Sequence, residues 1–181
     1  MIIATRDGTV LRFATPEDLP RIDEITLACY SAIQDSFVNL VGPEIYQAVY
    51  TPEEGSWKDK KNGQNHHLFE NHPDWVWVLE QKKLIIGYVT FRLFPSKSFG
   101  QFENNGVDPH FAGKGWGKFM YRHVLQYFRD QGLQFAHVET DLDDPHIPAR
   151  RAYKNVGFDR EVRIVLFWQD LSKNNPGSVP E

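Results

Sequence analysis

Apolar positions in this chain follow two periods, alternate residues in some stretches and every third or fourth in others, and each period predicts a different element. Thr9-Val10-Leu11-Arg12-Phe13 sets Leu11 and Phe13 on one side and predicts a first strand. Thr15-Pro16-Glu17-Asp18 predicts a helix start: threonine caps, proline suits the first turn, and acids favour the positive end of the helix dipole. Leu19, Ile22, Thr26, Cys29, Tyr30 and Ile33 then recur at spacings of three and four, so this helix buries one face. Residues 35–74 lose that regularity, and one or two short helices with loops are expected there. Trp75–Leu79 and Leu84–Phe91 flank the polar Glu80–Lys83 and predict an antiparallel hairpin. A strand follows over Gly100–Val107. A helix over Gly115–Gln131 carries Trp116, Met120, Val124 and Tyr127 inward and stops at Gly132. Phe135–Glu139 reads as a strand, Pro148–Val156 as a short helix ended by Gly157, and Val162–Trp168 as a last strand. That order predicts an α/β domain, a mixed sheet with helices on its faces.

Bulk properties narrow the classes. A chain of 181 residues suits one domain, placed at 1–171, with a flexible polar tail over 172–181. The formal charge of −4 argues against a nucleic-acid binder that relies on phosphate attraction. No apolar run approaches the roughly 20 residues that cross a bilayer, and Met1–Gly8 lacks the pattern of a leader. With a single cysteine, Cys29, the expectation is a cytoplasmic protein without membrane association.

The sharpest local feature is Val107-Asp-Pro-His-Phe-Ala-Gly-Lys-Gly-Trp-Gly-Lys118, set between a strand and an amphipathic helix. Gly113, Gly115 and Gly117 let the backbone approach a ligand, and its N–H groups converge on a helix N-terminus. Lys114 and Lys118 add positive charge, so a diphosphate is the natural guest. A P-loop would need glycine at Ala112 and a hydroxyl at Phe119, and a dinucleotide fingerprint would need glycine at Lys118. Both fail. A glycine-rich turn without a ligand is the plain alternative.

This loop resembles that of the GNAT superfamily of N-acetyltransferases: Val-x-Pro, then Arg/Gln-Gly-x-Gly-x-Gly/Ala. The resemblance runs over residues 9–170. Ile85-Ile86-Gly87-Tyr88-Val89 is similar to the family's third strand, and Ala149-x-x-x-Tyr153-x-x-x-Gly157-Phe158 to its second signature. Two departures stand out. Ala112 replaces the usual Arg or Gln, and His146 stands where many members carry Asn. The resemblance implies a mostly antiparallel sheet of about six to seven strands with about four helices, its fourth and fifth strands splayed. It also implies acetyl-CoA as donor cosubstrate and no metal. Val107, Phe111, Ala112, Gly113, Lys114, Gly115, Trp116, Gly117 and Lys118 would hold that donor, with His146 and Ala149 nearby.

Acetyl transfer needs a neutral amine, a polarised carbonyl and a proton for the leaving thiolate. The family attacks directly, so Cys29 is expected to be a core thiol rather than a nucleophile. The N–H near Val107 is the candidate carbonyl donor, with Asn104-Asn105-Gly106 suited to a bulge. Tyr153 is the candidate general acid, its alternative being a core aromatic. Glu103 is the candidate base, with a substrate anchor or an exposed strand acid as alternatives. His110 and His137 rank behind it as proton carriers. His66, His67 and His72 lack a metal-ligand spacing. Asp141, Asp143 and Asp144 either solvate a loop or draw a cationic amine. Acceptor choice is expected in residues 30–69, the 95–99 turn and the chain after Phe158. The acceptor is a small-molecule or peptide amine, and a homodimer is left open. The rival function is an acyl-CoA-sensing domain with little turnover.

Overall fold

The computed structural model describes residues 1–51, 53 and 55–171. Six strands form one sheet in chain order: β1 (Ile2–Arg6), β2 (Thr9–Phe13), β3 (Val76–Gln81), β4 (Leu84–Phe94), β5 (Phe99–Val107) and β6 (Phe135–His137). Neighbours are antiparallel except β5 and β6, which run parallel. Five α-helical segments accompany them: α1 (Leu19–Val41), the single turn α2 (Pro43–Ile45), α3 (Trp57–Asn71), α4 (Trp116–Asp130) and α5 (Ile147–Lys154). Among the described residues, no helix is long and apolar enough to cross a membrane.

The sheet is covered on both faces, which explains the nearly unbroken apolar runs of its centre. Along β3, Val76 and Val78 join Ile22 and Ile25 of α1 and Leu68 of α3, whereas Trp77 and Leu79 join Met120, Val124 and Phe128 of α4. On the α4 face Trp77, Phe91, Phe102 and Phe128 pack edge to face, with ring centroids 4.9–5.5 Å apart. Gly100 is required there, because a Cβ would lie 2.6 Å from the Phe128 ring.

Helix α1 starts where expected. Asp18 accepts the Thr15 N–H (2.8 Å) and both ends of the Arg12 guanidinium (2.6 and 2.9 Å). Burial works against its charge, but these donors hold the carboxyl below the usual carboxylate range.

Several expectations need correcting. Strand β1 was missing from the reading, although Asp7-Gly8, both at positive φ (49° and 72°), close its hairpin with β2. The turn between β3 and β4 is only Lys82-Lys83, also left-handed (φ 50° and 66°), so β3 continues to Gln81. The segment expected to carry one or two short helices holds the end of α1, the single turn α2 and a helix longer than expected, the 15-residue α3, started by a Ser56–Asp59 capping box. Its inward positions are largely polar, so no apolar period marked it.

Strand β6 stops at His137 rather than Glu139. The last strand expected over Val162–Trp168 does not form. A strand needs a pairing edge and a covered face, and here Val162, Ile164 and Phe167 stay exposed while Trp168 Nε1 donates to the Tyr50 hydroxyl at 3.1 Å. The tail over 172–181 lies outside the described residues.

Candidate active site

The site grows from one irregularity in β5. Val89 pairs with Asn105 but Phe91 pairs with Phe102, so β5 has one residue more than β4 across this interval. Side chains normally alternate between faces, and this bulge breaks the alternation. Glu103 and Asn104 both emerge on the α1/α3 face: Glu103 beside Arg92 (3.3 Å), Asn104 against Gln64 and Asn65 of α3 (3.1 Å each). Asn105 then turns to the other face, where its Nδ2 donates to the Tyr153 hydroxyl (3.2 Å) and its Oδ1 accepts from Tyr121. The bulge was expected at Asn104–Gly106, and it sits slightly earlier, with Glu103 inside it.

The neighbouring edge opens at the same level. β5 and β6 pair only from Phe99–Phe135 to Gln101–His137, so beyond Gln101 they part. Asp108 N–H donates to Ile86 O on β4 (2.9 Å), and Gly87 pairs with Val107. The alternation of an antiparallel ladder therefore turns the N–H and carbonyl of Val107 away from β4, toward the gap. Cys29 Sγ approaches that carbonyl at 3.3 Å. Burial pushes this thiol up to about 11, so it stays protonated near neutral pH and is a poor nucleophile. It also packs against Gly106, where a Cβ would lie 2.9 Å from the sulfur.

Two phenols line the α4/α5 side. Tyr153, on α5, is buried, with its ring centroid 5.0 Å from that of Tyr121 on α4. Burial raises the Tyr153 pKa, and hydrogen bonding with Asn105 and Tyr121 limits the rise. The phenol is thus a held proton rather than a phenolate. On the opposite face, Tyr30 of α1 donates to Asn104 Oδ1 (3.3 Å) and accepts the Asn105 N–H (3.4 Å). Lys61 of α3 donates to the same Asn104 oxygen (3.0 Å) and sits 4.7 Å above the Tyr30 ring. Burial raises the Glu103 pKa against the pull of Arg92 and Lys61. That shift makes it a better base near neutral pH.

The glycine loop follows β5 directly. Asp108 fixes its entry, accepting from His110 N–H (2.9 Å) and pairing with Arg21. A turn over Pro109–Phe111 leads to the exposed Ala112–Gly115, with Lys114 Nζ 5.6 Å from the Phe111 ring. Gly113 (φ 76°) and Gly115 (φ 77°) take left-handed backbone conformations, which explains the residue type at both positions. The first α4 bond runs from Phe119 N–H to Gly115 O (3.0 Å), so the N–H groups of Trp116, Gly117 and Lys118 have no acceptor within the helix. Arg6 of β1 donates to Lys114 O (2.9 Å) and Gly115 O (3.4 Å) and stacks on Trp116 at 4.5 Å. It thereby occupies carbonyls while the donors remain available.

Of the residues singled out from sequence, Glu103 lies in the bulge on the α1/α3 face, Tyr153 hydrogen-bonds Asn105 on the α4/α5 face, Val107 lies at the opening edge, and Phe111–Lys118 lie on the loop that continues β5. Ala149 packs at the border of the core cluster containing Tyr153. His146 is engaged with Asp143 in its own turn. Of the histidine group, His66 pairs with Asp23 (3.0 Å) and His72 stacks on Trp75 (3.7 Å). The sequence reading missed Arg6, Lys61, Arg92 and Tyr121. Asp7-Gly8 was the available signal for the strand that delivers Arg6. The other three carried no local signature.

The sequence profile of the acetyltransferase (GNAT) family matches residues 42–158. The chain is 30% identical over 118 residues to a mycothiol acetyltransferase of Thermomonospora curvata, a match covering 64% of this chain but only 38% of that longer relative. Its fold is similar to a GNAT family acetyltransferase from Brucella melitensis solved with acetyl-CoA (TM-score 0.57, 18% identity, 86% and 85% of the two chains). It is also similar to the PaiA N-acetyltransferase of Thermoplasma acidophilum solved with coenzyme A (TM-score 0.61, 13% identity, 81% and 87%).

Proposed function

Because the chain belongs to the acetyltransferase (GNAT) family, we propose that it transfers an acetyl group from acetyl-CoA to a primary amine of a small molecule or peptide. The observation that carries this reading is the parting of β5 from β6 beside Tyr153 and directly upstream of the glycine loop. The loop suits a diphosphate on its own terms: two left-handed glycines, three helix-start N–H groups, Lys114 and Lys118, and carbonyls already taken by Arg6. Backbone donors keep their geometry whatever side chain stands at position 112, so Ala112 costs one contact rather than the site. His146, held by Asp143, supports the turn before α5 more readily than it supports a ligand.

The donor supplies an activated acetyl thioester whose sulfur leaves as a thiolate. This chain's residues would do the rest. Val107 N–H faces the gap as a fixed dipole for a carbonyl oxygen that gains charge during attack. Glu103, half-buried on the acceptor face, takes the proton that the amine must lose, directly or through water. Tyr153, on the donor face, holds the proton that the departing sulfur requires. Asn105 lies between them and fixes the phenol.

Tyr153→Phe tests the assignment most directly, because it removes the hydroxyl and keeps the ring packing. Turnover should fall about 10²-fold, with acetyl-CoA affinity and melting temperature near wild type. Unchanged turnover in an assay limited by chemistry would leave Tyr153 as a core aromatic.

A further inference from the structure

We infer that the acceptor amine carries a carboxylate, as an amino acid does, and that Lys61 receives it. This inference rests on the acetyl-transfer reading above and adds the substrate class. Lys61 is a partly buried ammonium on the inward face of α3, at spacings of three, four and seven from Gln64, Asn65 and Leu68. Its hydrogen bond goes to a neutral amide oxygen, Asn104 Oδ1, and its other close neighbour is the face of Tyr30. Among the described residues it forms no ion pair. Glu103, whose charge reaches it, is held instead by Arg92 at 3.3 Å. An ammonium shielded from water and lacking a direct counter-ion is satisfied by a bound anion. Its direct partners carry no charge, so one negative charge is the matching complement, and a carboxylate supplies it.

The position fits an acceptor rather than the acetyl donor. Lys61 lies on the α1/α3 face, opposite the side where Tyr153 and Tyr121 pack. Yet it is close to the chemistry: Lys61 bonds Asn104, Tyr30 joins Asn104 to the Asn105 N–H, and Asn105 bonds Tyr153. The same region holds acids, since Glu103 and Asp141 both act on Lys61 and Glu139 acts on Glu103. A cation site flanked by carboxylates suits a molecule with both charges, its carboxylate on Lys61 and its amine toward Glu103. A polyamine would meet the ammonium of Lys61 with like charge.

The test compares matched acceptors, glycine with glycinamide and glutamate with its α-amide, by release of free CoA. Rates are set against the concentration of uncharged amine, because amides have less basic amino groups. Wild type should favour the acid of each pair by about tenfold or more in kcat/KM, mainly through KM. Lys61→Gln should remove most of that preference, and Lys61→Arg should restore part of it. Equal use of acid and amide by wild type overturns the inference while leaving the enzyme reading intact. So does a preference that Lys61→Gln leaves in place. If wild type binds acetyl-CoA but acetylates no amine, the transferase reading fails and this inference fails with it. Should Lys61→Gln not fold, the wild-type ratio alone decides.

Discussion

The two faces of the sheet are built by different means. The α4/α5 face is an apolar interlock of Trp77, Phe91, Phe102, Met120 and Phe128. The α1/α3 face has a smaller apolar cluster and, around β5, a polar one: Asn65 Nδ2 donates to Thr26 Oγ1 (3.1 Å), Asn104 Nδ2 donates to Gln64 and Asn65, and Tyr30 and Lys61 share the Asn104 carbonyl oxygen. The first face holds by area removed from water. The second holds by satisfied hydrogen bonds, whose net worth is smaller but whose geometry is exacting. A donor common to a whole family can be met by a rigid apolar wall and backbone donors, whereas selecting an acceptor requires polar groups at set positions.

The contrast can be broken most forcefully in the cores. Met120→Ala on the apolar face should cost about 3 kcal/mol, the usual range for a fully buried methionine being about 2–5 kcal/mol. Asn65→Ala on the polar face should cost about 1–2 kcal/mol, from the hydrogen bonds left open on Thr26 and Asn104. Denaturant melts of the two variants measure both, and a larger loss at Asn65 would reverse the proposed division.

Gly115→Asp addresses the donor side alone. An aspartate at φ 77° is strained and puts negative charge at the start of α4. Wild type at 100 times the dissociation constant of acetyl-CoA should gain about 2.7 kcal/mol of stability. The variant should bind at least tenfold more weakly, measured as a reduced thermal shift. A full shift in a folded variant would move the donor away from this loop.

The smallest effect is expected at Glu103, and its signature is pH dependence. Its pKa is raised by burial, so the basic form is lost as pH falls through that raised value, and wild-type rate should fall with it. Glu103→Gln should be several-fold slower near neutral pH and should lose that acid limb. It should approach wild type as pH nears the amine's own pKa, where substrate arrives uncharged. A parallel pH–rate curve, displaced only through KM, would make Glu103 an anchor. No displacement at all would make it a surface acid.

The same contrast explains what the sequence disclosed. Gly113, Gly115, the amphipathic period of α4 and the Tyr153–Gly157-Phe158 spacing are local signals on the apolar face, and they were legible. Helix α3 was not, because Lys61, Gln64 and Asn65 occupy its inward positions and cancel the apolar period that marks a buried helix. Strand β1 was legible through Asp7-Gly8 and was passed over. Val162–Trp168 was over-read, since alternation and β-propensity describe a residue's fitness for a strand and not the presence of an edge to pair with. Arg92 and Tyr121 acquire their roles from contacts that only the folded sheet creates.

One extra residue in β5 acts on the rest of that strand as a phase shift acts on a wave. Before it, even-numbered side chains such as Phe102 point to α4; after it, odd-numbered ones such as Asn105 do. Flattening the bulge at constant length would restore a regular ladder and move every downstream side chain to the opposite face. Gly106 would then offer its bare backbone to Tyr121, and Asn105 would press its amide into the space beside Cys29 that only a glycine fits. Through this coupling the bulge, and not composition alone, decides which residues of β5 reach Tyr121 and which reach Cys29.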